Sequence, residues 1–306
     1  MKKLAVIPII CLTLAGLAQE SCLPKYNTPV KTIQLSSGKM AYIEKGKGKT
    51  ILFIHGLGGN ISHWEKAINE LSSSYQCIAV DLPGYGWSDM QVDTRGRDRL
   101  QFYADVLGEF LKKKKIKSVV LTGHSMGGQV ATIMSLQNKR VKKLVLVAPA
   151  GLETFTEKEA KLLSGVATPA ALENQDETVI RNNFNVNFFR QPAEVESLIQ
   201  DRLRMKACDI YKIYCENVAA GVTGMLIHPV RDSLQYLSMP VLVVFGANDA
   251  LITNRYLHPA LKTDELALQS AASIKNSKVE MIPQAGHMVQ FEKSNEVTSI
   301  IKNFAH

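Results

Sequence analysis

The stretch Val119-Val120-Leu121-Thr122-Gly123-His124-Ser125-Met126-Gly127-Gly128 decides how this chain is read. Its opening residues are apolar and partly β-branched, as a strand buried on both faces requires. Residues 126–136 then carry apolar side chains at helical spacing. Between strand and helix stands a serine with glycines two positions before and two positions after it. A turn this tight brings neighbouring backbone close, so its flanks must be small, and Gly123 and Gly127 meet that demand. The turn lifts the Ser125 hydroxyl clear and starts a helix beneath it, whose N-terminal dipole favours a developing negative charge. A glycine-x-serine-x-glycine alone is common by chance; the strand before it and the helix after it make this one informative.

Outward from the turn, strand-like and helix-like segments alternate. Residues 51–54, 77–80, 119–121 and 144–147 are short runs rich in Val, Ile and Leu. Residues 64–71, 100–111 and 126–136 have helical periodicity between them. Strand, helix, strand, repeated, predicts a parallel sheet with right-handed crossovers. Ahead of it, residues 31–35 and 39–44 read as an antiparallel pair around Ser36-Ser37-Gly38. The alternation stops at Ala148-Pro149-Ala150-Gly151. From 152 to about 231 there are only helix-like pieces, at 158–163, 194–205 and 209–220. Strands resume at 241–245 and 279–282, and a helix near 289–304 closes the chain. The expected class is therefore α/β: a mostly parallel central sheet flanked by helices, interrupted by an inserted helical cap. The expected divisions are 30–150 and 232–306 for the two parts of the sheet domain and 151–231 for the cap.

Serine is a poor nucleophile without a base. His287, in Ala285-Gly286-His287 after the last strand, has the place from which an imidazole takes the Ser125 proton and returns it. Asp249, in Gly246-Ala247-Asn248-Asp249 after strand 241–245, would orient that imidazole. Its rivals are Asp232 and Glu153, the latter just past strand 144–147. His63, His228, His258 and His306 lack the position after a final strand. His55 and His124 read as packing and loop-shaping residues, and Asp81 to Ser88 as a structural turn shaped by its glycines. Trp64 and Trp87 are expected beneath the site or at its mouth.

These blocks, with His55-Gly56-Leu57-Gly58-Gly59 and Asp81-Leu82-Pro83-Gly84-Tyr85-Gly86-Trp87-Ser88, resemble the α/β-hydrolase superfamily over nearly all of residues 30–305. The order Ser, Asp, His is the one that fold uses. The resemblance implies an oxyanion hole from the backbone N–H groups of Leu57 and Met126, and a serine esterase or lipase mechanism with neither metal nor organic cofactor. Ser125 at the elbow, where haloalkane dehalogenases and epoxide hydrolases of this fold carry Asp, sets the chain apart from them. Within the superfamily, the blocks are similar to small capped lipases and monoacylglycerol-lipase-like enzymes. That similarity, with the apolar cap residues Leu162, Leu163, Val166, Phe184, Val186, Phe188, Phe189, Met225 and Leu226, points to acyl-glycerol or similar lipid-like esters. A C–C bond hydrolase or thioesterase on the same triad is the alternative. Arg181, Arg190, Arg202 and Arg204 would then be candidates to hold a substrate carboxylate. A non-catalytic ligand-binding homologue is a remote third reading.

The N-terminus reads separately. Lys2 and Lys3 precede an apolar run from Leu4 to Leu17, and Gly16-Leu17-Ala18 supplies small residues, the pattern of a secretory signal over 1–18. Residues 19–29 would form an N-terminal extension, and the product would be periplasmic or extracellular. Lipidation at Cys22 is a weaker reading, because Gln19-Glu20-Ser21 suits it poorly. The chain has a formal charge of +8, which favours transient contact with an anionic membrane surface. Lys112 to Lys115 close a helix, where cations suit the carbonyl end, so no nucleic-acid partner is expected. Four cysteines lie beyond residue 18: Cys77 reads as a buried free thiol, and Cys208 could reach Cys215 only if the helix between them breaks. No Cys-x-x-Cys or histidine cluster suggests a metal.

Overall fold

A computed structural model describes residues 21–306; the export signal expected over 1–18 lies outside the described residues. Eight strands form one sheet: β1 (Lys31–Leu35), β2 (Gly38–Lys45), β3 (Thr50–Ile54), β4 (Gln76–Val80), β5 (Val119–His124), β6 (Val141–Val147), β7 (Val241–Gly246) and β8 (Ser277–Ile282). Their order across the sheet is β1-β2-β4-β3-β5-β6-β7-β8. The pairs β1–β2 and β2–β4 are antiparallel and all others parallel. The central strands are buried on both faces, which is why they read as unbroken apolar runs.

Alternate residues of those strands feed two cores. Leu52, Ile54, Leu121, Leu146 and Phe245 face one side with helices α2 (Arg99–Lys113) and α3 (Met126–Gln137). Ile51, Phe53, Val120, Val145 and Val244 face the other, with α1 (Glu65–Leu71) and the C-terminal α11 (Ser294–Ala305). Trp64 is buried in this second core against Phe53, at a ring separation of 5.0 Å, and is not at the mouth of any site. The Asp98 carboxylate caps α2 by accepting from the Leu100 and Gln101 N–H groups at 2.9 and 3.0 Å. At its other end Lys112 and Lys113 lie in the last turn as expected, while Lys113 reaches the Gln34 carbonyl and Lys114 pairs with Glu44 at 3.1 Å.

Between β6 and β7 lie α4 (Glu157–Val166), α5 (Pro169–Glu173), α6 (Glu177–Asn185), α7 (Val195–Lys206) and α8 (Ile210–Ile227). This is the expected helical insertion. It leaves the carboxyl end of β6 and returns, through a 3-10 turn at Arg231–Tyr236, to the amino end of the adjacent, parallel β7. After β7 come α9 (Thr263–Ala272) and, after β8, the short α10 (Val289–Glu292) before α11. No described helix is long and apolar enough to cross a membrane.

A disulfide joins Cys22 to Cys208, and Cys77 and Cys215 are buried free thiols. Cys215 lies within α8, where the unbroken helix keeps it from Cys208, and the N-terminal segment supplies the partner instead. That segment runs over the sheet domain. The Pro24 carbonyl accepts from Trp87 Nε1 at 2.8 Å, the Tyr26 hydroxyl donates to Asp81 at 2.9 Å, and the Asn27 N–H donates to Glu65 at 2.7 Å.

Candidate active site

Ser125 sits at the end of β5 with φ 52° and ψ −121°, in a left-handed backbone region that a non-glycine residue occupies only at a cost of order 1–3 kcal/mol. The surroundings hold it there. Its N–H donates to the Val147 carbonyl at 3.0 Å, and its own carbonyl accepts from Gly128, Gln129 and Ala150 at 2.8 to 3.1 Å. Gly123 and Gly127 make the turn possible, because a Cβ on Gly123 would strike the Gly127 carbonyl and one on Gly127 the His55 carbonyl.

His287 follows β8 and Asp249 follows β7, as the sequence places them. Asp249 Oδ2 accepts from His287 Nδ1 at 2.8 Å, and both side chains are almost completely buried. Asp249 Oδ1 accepts from the Leu251 and Ile252 N–H groups at 2.8 and 3.0 Å, so the carboxylate is fixed at both oxygens. A ring proton committed to Nδ1 leaves Nε2 with its lone pair. Glu153 is occupied elsewhere: it accepts from the Asn254 N–H at 3.0 Å and pairs with His258 at 2.5 Å. Asp232, in a short 3-10 turn ahead of β7, does not line the cavity described below.

Three further histidines lie on the segments that build the site, and burial drives each toward the neutral form. His55 falls to about 4; Nδ1 donates to the Gly56 carbonyl at 2.8 Å, and Nε2 accepts from the Leu82 N–H at 3.0 Å. It shapes the loop, as read from the sequence. His124 is pushed well below its ordinary value by burial, and its Nε2 donates to the His287 backbone carbonyl at 3.1 Å. His63, held down to about 3 by burial, lines the cavity, which its sequence position gave no reason to expect.

The Gly56 carbonyl accepts from the Gly59 N–H at 3.1 Å as well as from His55, so the peptide that carries the Leu57 N–H is held on its opposite side. Neither the Leu57 nor the Met126 N–H donates to another group among the described residues. The loop from Asp81 to Ser88 is structural: Asp81, fully buried and raised by desolvation to about 7, accepts from the Ile61 and Trp87 N–H groups at 2.9 Å.

Ser125 and His287 open into one cavity of about 420 Å³ beneath the cap. Gly56, Leu57, Phe184, Tyr214, Met225 and Ile252 are among its walls. Ala150, Met225, Leu251 and Ile252 also border a second, apolar cavity of about 220 Å³, closed by Leu163, Leu226 and Phe155. Of the cap residues expected to form an acyl pocket, Phe184, Met225, Leu163 and Leu226 line these spaces. Leu162, Val166, Val186 and Phe189 are exposed, and Phe188 packs on Phe291. Among the four cap arginines, Arg181 pairs with Glu177 and Glu196, Arg204 with Asp201, and Arg190 lies by the Glu292 carboxylate outside the cavity. Only Arg202 reaches the cavity. Among the described residues no group of His, Cys, Asp and Glu is placed to hold a metal.

A family model described as the α/β-hydrolase fold matches residues 49–294. The chain is 30% identical over 258 residues to the dihydrolipoyllysine acetyltransferase component of the acetoin cleaving system of Pseudomonas putida, and 26% identical over 268 residues to that of Cupriavidus necator. The matches cover 82% and 86% of this chain but only 62% and 66% of those proteins. It is 25% identical to a 2-hydroxy-6-oxononadienedioate/2-hydroxy-6-oxononatrienedioate hydrolase of Cupriavidus pinatubonensis, over 84% of this chain and 86% of that one. An esterase structure from Thermogutta terrifontis superposes with a TM-score of 0.72 at 24% identity, covering 91% of this chain and 98% of the other.

Proposed function

The chain belongs to the α/β-hydrolase family, and from that premise we propose that it is a serine hydrolase cleaving carboxylic esters, lipid-like ones in particular. The observation that carries the reading is the arrangement of Ser125 and His287 on one cavity with Asp249 bound to the far side of the imidazole. His287 Nε2 takes the Ser125 proton as Oγ attacks the ester carbonyl, and Asp249 stabilises the imidazolium that forms. The Leu57 and Met126 N–H groups receive the oxyanion; each such donor is worth roughly 3 kcal/mol in the barrier. His287 returns the proton to the departing alcohol, leaving an acyl-Ser125. Water then repeats the sequence with the same base and frees the acid. None of these steps calls for a metal or an organic cofactor.

The apolar space beyond Met225 and Leu251 supports an acyl chain of several carbons. Export to the periplasm or outside the cell is part of the same reading. It is supported by the basic and apolar N-terminus and by the Cys22–Cys208 bond, since structural disulfides persist in oxidising compartments. A second reading, C–C bond hydrolysis of an acidic substrate, is favoured by Arg202: it is the one cation on the cavity, and no carboxylate among the described residues pairs with it.

The test is turnover of p-nitrophenyl esters from acetyl to palmitoyl, with Ser125→Ala as the control. Turnover that peaks at medium or long chains and vanishes in Ser125→Ala is the expected result. A peak at acetyl would remove the lipid-like part, and turnover that survives in pure Ser125→Ala would refute the assignment.

A further inference from the structure

Helix α8 touches the loop that carries Leu57 in two places, and neither contact belongs to the chemistry described above. The Gly58 carbonyl accepts two hydrogen bonds from the cap, one from the Tyr214 hydroxyl at 3.0 Å and one from Arg202 Nη2 at 2.7 Å. Two turns further along the same face, Gly221 lies against the Leu57 side chain and near the Met126 sulfur. A Cβ there would come within 2.6 Å of Leu57 Cδ1 and 3.3 Å of Met126 Sδ. Tyr214 and Gly221 are seven residues apart, so both face the same way from the helix. The glycine is what allows α8 to approach both residues whose N–H groups would bind the oxyanion.

The start of α8 is itself tied down. Cys208 lies in the corner between α7 and α8, and its disulfide runs to Cys22 in the segment fixed to the sheet domain through Trp87, Asp81 and Glu65. Arg204, in the last turn of α7, donates to the Ser21 carbonyl at 2.9 Å.

We propose that α8 sets the geometry of the oxyanion loop from the cap side, with Tyr214 as a positioning residue acting through the Gly58 carbonyl and Cys22–Cys208 fixing the corner from which the helix starts. The proposal rests on the serine-hydrolase reading, in which Leu57 N–H is an oxyanion donor. Tyr214 does not meet the reacting atoms in this account. It holds the Gly58–Gly59 peptide, two peptide units along the same tight loop from the one that carries the Leu57 N–H, and a displacement of about 1 Å passed on to that donor costs about a hundredfold in rate. Because the oxyanion exists only after attack, a loosened loop lowers kcat and leaves KM in place.

The experiment compares the full chain, Tyr214→Phe, Cys22→Ser/Cys208→Ser and the combination of all three on p-nitrophenyl butyrate, with thermal melts of each. Tyr214→Phe keeps the ring and loses only the hydroxyl. Its kcat should fall roughly tenfold, with KM within about twofold and the pH profile unmoved, since His287 and Asp249 are untouched. The double cysteine variant should lower kcat in the same direction. Adding it to Tyr214→Phe should cost clearly less than the product of the two separate losses, because both act on one loop. An unchanged kcat in Tyr214→Phe, a rise in KM alone, a lower melting temperature without a kinetic effect, or multiplicative losses would each overturn the proposal. Ser125→Ala assayed alongside separates the two levels. Turnover persisting there sinks the serine reading and this proposal with it, whereas Ser125-dependent turnover with a normal Tyr214→Phe kcat sinks the positioning role alone.

Discussion

At the scale of single residues, the acid partner of His287 is the sharpest question, because two carboxylates stand at the ends of neighbouring strands. Asp249 binds the imidazole and Glu153 binds a different histidine. Asp249→Asn keeps the shape but offers a donor where an acceptor is needed, so kcat should fall by about three to four orders of magnitude. Glu153→Gln should retain most activity and instead lower stability by about 1–3 kcal/mol, through the Asn254 N–H and His258 that it now satisfies. Steady-state kinetics and urea unfolding on the two variants distinguish the roles; a crippled Glu153→Gln with a healthy Asp249→Asn would reverse the assignment.

At the scale of elements, the strand-turn-helix around Ser125 works because β5, α3 and the end of β3 meet without side chains between them. Gly123→Ala places a methyl against the Gly127 carbonyl, and neither backbone segment can retreat from the sheet. Such overpacking costs more than about 3 kcal/mol, and soluble expression with a cooperative melt should be lost; a stable, active Gly123→Ala would show that the turn has slack. The same elements show how far the sequence could be read. Buried strands announce themselves through unbroken Val, Ile and Leu, and the loops at their ends carry glycines that only one geometry needs, so β3 to β7 and the positions of Ser125, Asp249 and His287 were legible; β8, half-exposed, showed only its apolar end at 279–282. The cap was legible as helical but not in detail. Helices α5 and α6 are only five and nine residues long and bury Ile180 alone, so residues 169–185 offer too few turns for a period to be read. His63, Tyr214 and Gly221 were invisible as neighbours of the site, since what matters in them is a contact made across the cap. The Cys22–Cys208 pairing was hidden for the same reason, joining residues 186 apart.

At the scale of the whole molecule, buried ionisable groups set the response to acid. His55 and His63 titrate in the fold at about 4 and about 3, against about 6.5 in an unfolded chain, and His124 is lowered as well. A histidine with a depressed folded value contributes stability above its unfolded value and loses it as pH falls toward the folded one. Asp81 works in the opposite sense: raised to about 7, it favours the fold as pH falls from about 7 toward 4. His55 and His63 each lose on the order of 3 kcal/mol over that range and His124 acts in the same direction, against an opposite effect of similar size from Asp81, with Glu65, raised by burial, on its side. Unfolding free energy measured in urea should therefore drop between pH 6.5 and 4. A flat or rising profile would mean that these histidines are hydrated in solution.

Because the cap leaves and re-enters the sheet at two adjacent strands, it resembles an exchangeable part: another insertion of any length would meet the same two attachment points. The Gly58 carbonyl restricts that freedom. A transplanted cap would have to arrive with its own hydroxyl or guanidinium at the height of Tyr214 and Arg202, and with a gap where Gly221 lies. Chimaeras that respect only the attachment points would bind new molecules and turn them over slowly. Those that also restore these three features would inherit the speed of the parent.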